Sequence, residues 1–332
     1  MSVVADIFNP QTSKVAKGLE GKTIMIYGGN NLGKTYVASK LKKPFFISTE
    51  SGLNAIGGVQ YISVRKWSDF KKLIKQLTDS KTVDKAREMY DTIVIDEVYA
   101  SSIMCQDFCI ATYGDGALTL SDGDYQHNLY SLYEKEYFRM INLLLSCDYT
   151  VVFIGHEQEK DNFISPKGDK RCIKPIIDNC DFVIYLTSNG IDDQGNVIHS
   201  SGHLAETETY FARSRFTKCP TLIEDFTAEN LEATIKKAVE DTAKADGIEV
   251  VSYDEQKEQN IVEHDDFNTI MEKLQNIGIK FAEAEQMDEL TEIVENTLGK
   301  GKKVSECTKK QTEALEVIYD ALVEKAEELK LS

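Results

Sequence analysis

Residues 27–38 read YGGNNLGKTYVA, and the interpretation of this stretch decides the fold. Gly28, the four residues Gly29, Asn30, Asn31 and Leu32, and then Gly33, Lys34 and Thr35 give the full spacing of a phosphate-binding loop. The glycines let the backbone wrap inward so that successive N–H groups converge on a phosphate, and a helix that follows adds its positive end. Lys34 is then placed to reach the β- and γ-phosphates of ATP, and Thr35 to put its hydroxyl on Mg²⁺. The flanks agree with this reading. KTIMIY (22–27) is a short apolar run of strand type, TYVASKLKK (35–43) has helical character, and the motif falls between them.

Outward from the loop, strand-like and helix-like segments alternate. PFFIST (44–49) and VQYISV (59–64) read as strands, and WSDFKKLIKQLTDS (67–80) places apolar residues at helical spacing. DTIVIDEVYA (91–100) is a β-branched run carrying two acids, expected as a buried central strand whose carboxyl end faces a ligand crevice. Residues 105–125 are expected to be irregular, 126–147 helical, and YTVVFIGHE (149–157) and FVIYL (182–186) to be further buried strands. Between those two strands Pro166-Lys167-Gly168-Asp169 is expected to turn a hairpin, with a second polar hairpin around 188–196 and a strand over TYFARSRF (209–216). The pattern predicts an α/β fold with a central, mostly parallel sheet over residues 1–241. A polar linker is expected at 242–262 and a small acidic helical module at 263–332.

Composition narrows the class. With 332 residues, 42% hydrophobic and 28% charged, the chain has the profile of an ordinary globular protein, and no apolar run approaches the roughly 18 residues of a membrane span. No basic stretch followed by an apolar core opens the sequence, so a cytoplasmic location is expected and no membrane partner. Seven cysteines without repeated spacing suit a reducing compartment, and Cys105 and Cys109 lack the second pair that a zinc site requires. The net charge of −17 is uneven: residues 224–332 hold 28 acidic and 13 basic side chains, against 27 and 25 in residues 1–223. The acidity belongs to the last third, and the near-neutral remainder leaves room for a local basic face.

The chemistry beside the loop follows from strand ends. Asp96, at the end of DTIVID, is placed to order Mg²⁺ through its waters. Two carboxylates are candidates to orient or deprotonate the attacking water: Glu97, which directly follows the magnesium acid, and Glu50, just past FFIST. His156, in IGHE, stands where a polar side chain can contact the γ-phosphate. Arg213 and Arg215 alternate along one segment and suit either a finger that stabilises a neighbouring subunit's transition state or a contact to a nucleic-acid backbone. Lys160, Lys167, Lys170, Arg171 and Lys174 outnumber Asp161 and Asp169 in the expected 160–174 hairpin, making it a candidate for backbone contact.

Taken in order, YGGNNLGKT, FFISTE, DTIVIDE, VVFIGHE and ARSRF resemble the phage-encoded RecA-like P-loop ATPases, some of which act as single-strand annealing recombinases. The resemblance covers about residues 20–240. It implies a RecA-like P-loop NTPase core, binding of ATP and Mg²⁺, single-stranded DNA as polymer partner, and assembly of copies into a ring or filament. By motif match, Lys34, Thr35, Asp96, Glu50 and His156 inherit the family roles, and Arg213 and Arg215 theirs. Glu97 departs from the pattern, in which a small polar residue follows the magnesium acid. The acidic tail suits a contact with a single-strand-binding or replication protein. The competing expectation is an AAA+ module that remodels a protein or loads a helicase. A small-molecule kinase lacks a recognisable lid here, and a terminase motor lacks room for its nuclease.

Overall fold

TIMIYG shows no polar–apolar alternation because helices cover both faces of that strand. Ile24 and Ile26 pack with Val37, Ala38, Leu231 and Ile235 on one side, and Met25 and Tyr27 with Ile74, Tyr137 and Ile141 on the other. The computed structural model describes residues 12–50, 52–123, 128–259 and 266–331. In chain order the elements begin with β1 (Val15–Ala16), β2 (Thr23–Gly28), α1 (Lys34–Ser39), β3 (Pro44–Ser48), β4 (Gln60–Ser63), α2 (Trp67–Thr78), α3 (Val83–Met89) and β5 (Thr92–Asp96). They continue with α4 (Val98–Tyr113), α5 (Leu129–Leu145), β6 (Thr150–Lys160), β7 (Phe163–Pro166), α6 (Lys170–Asn179), β8 (Phe182–Thr187), β9 (Ser201–His203), β10 (Arg213–Ser214) and β11 (Leu222–Ile223). α7 (Ala228–Asp246), β12 (Val250–Val251) and α8 (Tyr253–Gln259) complete a compact unit that spans Ser13–Gln259.

The main sheet runs β11-β9-β8-β2-β6-β5-β3-β4, with β7 paired to β6 and β10 to β8. The six central strands β8, β2, β6, β5, β3 and β4 are parallel, so their carboxyl ends share one edge. β6 separates the strand that precedes the phosphate loop from the strand that ends at Asp96. The chain is thus an α/β protein with a P-loop NTPase core and additional C-terminal helices. Among the described residues no helix is long and apolar enough to cross a membrane.

Four expectations change. First, the buried strand stops at Asp96, and Val98–Tyr113 is a helix where an irregular excursion was expected from 105 onward. The helix is apolar nearly all round, which hid its period. Its buried positions Val98, Ser101, Ser102, Cys105 and Cys109 nevertheless repeat at helical spacing, and the two cysteines are core residues on one face. Second, the hairpin turns at Asp161 and Asn162, both with positive φ, and pairs Lys160 with Phe163. This is the two-residue type I′ geometry that Asp and Asn tolerate. Pro166-Lys167-Gly168-Asp169 instead leads into α6, whose N-terminus Asp169 caps by accepting from the Arg171 N–H. Lys170, Arg171 and Lys174 therefore sit on a helix, and only Lys160 lies by the hairpin tip.

Third, the strand expected over 209–216 contracts to Arg213–Ser214, paired with the start of β8. Arg213 turns its guanidinium onto the carbonyls of Ile177, Asp178 and Cys180 at 2.8, 3.2 and 3.0 Å, and Arg215 donates to the Asp178 carbonyl and pairs with Asp181 at 3.5 Å. Both arginines thereby satisfy the carbonyl end of α6. Fourth, the polar stretch expected as a linker is structured through Gln259. Val250–Val251 adds in parallel to Val15–Ala16, which sequence polarity alone did not reveal, and α8 follows. Residues 1–11, 124–127 and 260–265, which include parts of the expected N-terminal, helical and linker segments, lie outside the described residues.

The acidic C-terminal helices α9 (Phe267–Glu283), α10 (Met287–Leu298) and α11 (Thr312–Glu328) have a core of their own. Ile270, Leu274, Ile277 and Phe281 meet Leu315, Ile318 and Leu322 there.

Replacing Arg213 by Ala should remove a charged cap from three carbonyls. We expect a loss of about 2 kcal/mol and a Tm lowered by about 5 °C, measured by thermal denaturation. A catalytic defect with no change in Tm would contradict the capping role.

Candidate active site

The parallel register sets the site. Gly28 pairs with His156, Asp96 with Ile154, and Ser48 with Asp96, so the carboxyl ends of β2, β6, β5 and β3 converge at one edge. Gly28 is needed at its place: its φ is +150°, and a Cβ there would lie 2.8 Å from the Leu186 carbonyl oxygen. The loop closes under Lys34, whose ammonium donates to the carbonyls of Gly28 at 3.0 Å and Gly29 at 2.5 Å. Burial lowers the Lys34 pKa, opposed by the nearby carboxylates, Asp96 foremost. Thr35 donates its hydroxyl to Asp96 Oδ2 at 3.0 Å, and Asp96 is 6% exposed. Burial raises the Asp96 pKa, the Thr35 hydrogen bond opposes the rise, and the neighbouring Glu50 charge adds to it.

β3 is clamped to β5 at this edge. The Thr49 N–H donates to the Asp96 carbonyl at 2.7 Å, while the Thr49 hydroxyl donates to the Glu97 carbonyl at 2.9 Å and accepts from the Glu97 N–H at 2.8 Å. The Ser48 hydroxyl donates to the Glu50 carbonyl at 2.6 Å. These bonds fix the backbone on either side of Glu50, whose carboxylate stays about half exposed, 3.6 Å from His156 Nε2.

Glu97 is held differently. Its carboxylate caps α4, accepting from the Tyr99 N–H at 2.9 Å and the Ala100 N–H at 2.7 Å, and the residue is 1% exposed. Burial raises its pKa, countered by those two bonds. Ligand atoms of Glu50, Glu97 and His156 lie within 4.8 Å of one another, a spacing that could hold one cation or a shared water.

A cleft of about 460 Å³ opens between these groups, lined by Gly28, Gly29, Asn30, Glu50, His156, Glu157 and Lys167. Beside the loop, a second pocket of about 370 Å³ is bounded by Leu32, Tyr36, Val37, Val197, Ile198 and Phe226, with the Ser200 hydroxyl donating to the Leu32 carbonyl at 3.0 Å. The donors suit a nucleoside triphosphate with its magnesium. Among the described residues the buried ammonium has only neutral carbonyls as hydrogen-bond partners; it lies by a loop whose first glycine leaves no room for a side chain, and the Thr35–Asp96 pair offers hard oxygen atoms beside it.

The structure thus gathers Gly28 to Thr35, Glu50, Asp96, Glu97 and His156 at one place, and adds Thr49, Glu157 and Lys167, which the sequence reading did not assign to it. Lys167 could have been found from the Asp-Asn turn signal, which fixes where the hairpin returns. Arg213 and Arg215 lie apart, beside the first residues of β8 at the opposite end of the sheet in the same protomer. Lys170 and Lys174 are exposed on α6, and Arg171 stacks over Tyr130 at 4.3 Å.

The family model described as an AAA domain matches residues 20–216, the span that holds the phosphate loop and every residue lining the cleft beside it. The chain belongs to the AAA-domain family. It is also 49% identical over 323 residues to the SPbeta prophage-derived uncharacterized protein YorG of Bacillus subtilis (strain 168), covering 96% of this chain and 97% of that protein. As an AAA-domain chain it belongs to a P-loop ATPase family, and its loop, Thr35 and Asp96 offer the donor set that suits a nucleotide with magnesium.

The raised Asp96 pKa carries a sign. The folded state holds the Asp96 proton more tightly than the unfolded chain, so the contribution to stability is largest below about pH 4 and is lost as pH rises through the raised value. In nucleotide-free protein, Asp96→Asn should raise Tm at pH 7 by about 2–5 °C, with the gain shrinking towards pH 4. Calorimetry at stepped pH checks this, and a Tm difference that does not vary with pH would contradict it.

Proposed function

We propose that this protein hydrolyses ATP and uses the cycle on single-stranded DNA in phage recombination or replication. The observation that carries the hydrolysis reading is the convergence of Lys34, the Thr35–Asp96 pair and Glu50 at one edge of the sheet, with Glu50 facing the cleft beside the loop. The single-stranded DNA reading rests on the likeness of the ordered motifs to phage RecA-like ATPases and on a prophage-derived relative. Assembly into a ring or filament belongs to the same reading.

In this reading Lys34 exchanges its two loop carbonyls for phosphate oxygens, and Thr35 with Asp96 holds Mg²⁺, which supplies positive charge to the phosphates when bound. The pocket beside the loop takes the nucleobase, with the Tyr36 ring and the Ile198 and Phe226 side chains offering apolar contact. Glu50 is the base. It faces the cleft, is accessible to water, and stands beside His156, whereas both oxygens of Glu97 are already engaged by backbone N–H groups. His156 orients the same water or contacts the terminal phosphate. Glu97 is a positioning residue that anchors the first turn of α4 directly behind Asp96.

A second reading, remodelling of a protein partner, draws on the AAA-domain family and on the acidic helical module, whose charge suits a protein contact rather than nucleic acid.

Steady-state ATP hydrolysis by wild type and Lys34→Ala, with and without a long single-stranded oligonucleotide at low and moderate salt, separates the readings. Stimulation by DNA that falls with salt and is abolished in Lys34→Ala supports the first, and turnover indifferent to DNA favours the second. For the base, Glu50→Gln should lower kcat by about 100-fold or more with ATP binding retained. Glu97→Ala should chiefly lower Tm, by removing a helix cap worth about 1 kcal/mol.

A further inference from the structure

We infer that Lys167 is a second phosphate-facing cation of this site, supplied by the same chain, and that it stabilises the terminal phosphate during hydrolysis. The inference rests on the ATPase reading and adds a catalytic residue to it.

Four observations place Lys167. It lines the cleft together with Gly28, Gly29, Glu50 and His156. Its N–H donates to the His156 carbonyl at 2.8 Å, next to the Glu157–Pro166 pair of the hairpin, so its backbone is tied to the strand end that carries His156. On its other side Gly168 adopts φ +148°, and a Cβ there would lie 2.4 Å from Ile173 Cγ1, so the sharp entry into α6 that follows Lys167 depends on glycine. Its ammonium rests 4.5 Å from the centroid of the Tyr99 ring, on the first turn of the helix that begins directly after Asp96 and Glu97. A cation over a ring is held weakly and can leave for an anion, because an exposed cation–π contact is worth about 0.5–1 kcal/mol.

Charge balance points the same way. The cleft presents Glu50 and Glu157 to a substrate that is itself polyanionic, and Lys34 is buried under the loop. Among the described residues no carboxylate pairs with Lys167, and it is the one lysine or arginine lining this cleft. Arg213 and Arg215 cannot substitute within the protomer, since they engage the carbonyl end of α6 at the far end of the sheet. In the step considered, the bond from the water oxygen to the γ-phosphorus forms as the bond from the γ-phosphorus to the bridging oxygen breaks. The electron pair leaves on the diphosphate, and the water proton passes to Glu50. Lys167 forms no covalent bond and compensates the negative charge on the transferred phosphoryl group.

The test uses the full-length protein with Lys167→Ala and Lys167→Arg. It reads kcat and KM for ATP, equilibrium affinity for ADP and for ADP with aluminium fluoride, and affinity for single-stranded DNA. Because Lys167 is exposed and loses only the weak contact with the Tyr99 ring, Tm should fall by no more than about 4 °C. We expect Lys167→Ala to lower kcat by about 100-fold with KM changed less than about threefold, and to weaken the ADP–aluminium fluoride complex by a similar factor while ADP affinity holds. Lys167→Arg should recover part of the rate. Unchanged kcat in Lys167→Ala overturns the inference. So does a loss of DNA affinity with DNA-free turnover intact, which would make Lys167 a nucleic-acid contact. If wild type itself turns over no ATP, the ATPase reading is what fails. The catalytic role of Lys167 falls with it, and whether Lys167 faces the terminal phosphate is then decided by binding: that placement stands if wild type prefers a non-hydrolysable ATP analogue to ADP and Lys167→Ala erases that preference, and falls if the preference survives.

Discussion

A buried ammonium and a buried carboxylate, Lys34 and Asp96, share the carboxyl edge of the sheet, and much of the surrounding architecture makes that placement tolerable. Each is shifted by desolvation toward its neutral form, and each is partly compensated by the other. An isolated buried charge would cost several kcal/mol, so the arrangement depends on hydrogen bonds with good geometry: two loop carbonyls for Lys34 and the Thr35 hydroxyl for Asp96. The loop carbonyls are local to Lys34, but the Thr35–Asp96 bond exists only if β2 and β5 keep their register across the intervening β6. The sheet is therefore the device that holds opposite charges at working distance.

Around that pair the backbone is secured from three directions. Thr49 bridges β3 to the Asp96–Glu97 junction with three hydrogen bonds, Glu97 anchors the helix that leaves it, and β6 runs on past His156 into a hairpin that brings Lys167 back to the cleft. Two acids adjacent in sequence thus have different environments. Asp96 meets the hydroxyl that follows the phosphate-loop lysine, and Glu97 meets the N–H groups of a helix. Glu50, which is not adjacent to either in sequence, is the acid left open to water.

The parts of the site that were legible in the sequence are those whose chemistry depends on local spacing. Gly28, Gly33, Lys34 and Thr35 form one continuous loop, and Asp96 closes a run of β-branched residues that only a buried strand accommodates. Less legible were groups whose role depends on which carbonyls or rings they meet. Arg213 and Arg215 alternate as a strand's exposed residues would, yet they turn onto the end of α6. Lys167 looked like part of a charged hairpin because SPKGDK has the composition of a turn, although Asp161-Asn162 carries the tighter turn signal. The helix over Val98–Tyr113 was obscured because a helix covered on most sides loses its polar stripe. The short Val250–Val251 strand was obscured because two residues show no period.

By itself, then, the sequence determined that a phosphate loop joins a strand to a helix, that a second buried strand ends in an acid, and that the negative charge is concentrated in the last third of the chain. These follow from backbone sterics, side-chain period and composition, which act over a few residues. Only the tertiary structure decided that Glu97 caps a helix while Glu50 faces water, that the late arginines serve a helix end, and that Lys167 returns to the phosphate cleft. The Glu97 cap is local, bonding Tyr99 and Ala100, but it depends on a helix whose period was hidden; the arginine contacts and the exposure of Glu50 beside His156 are set by hydrogen-bond satisfaction and desolvation between segments far apart in sequence.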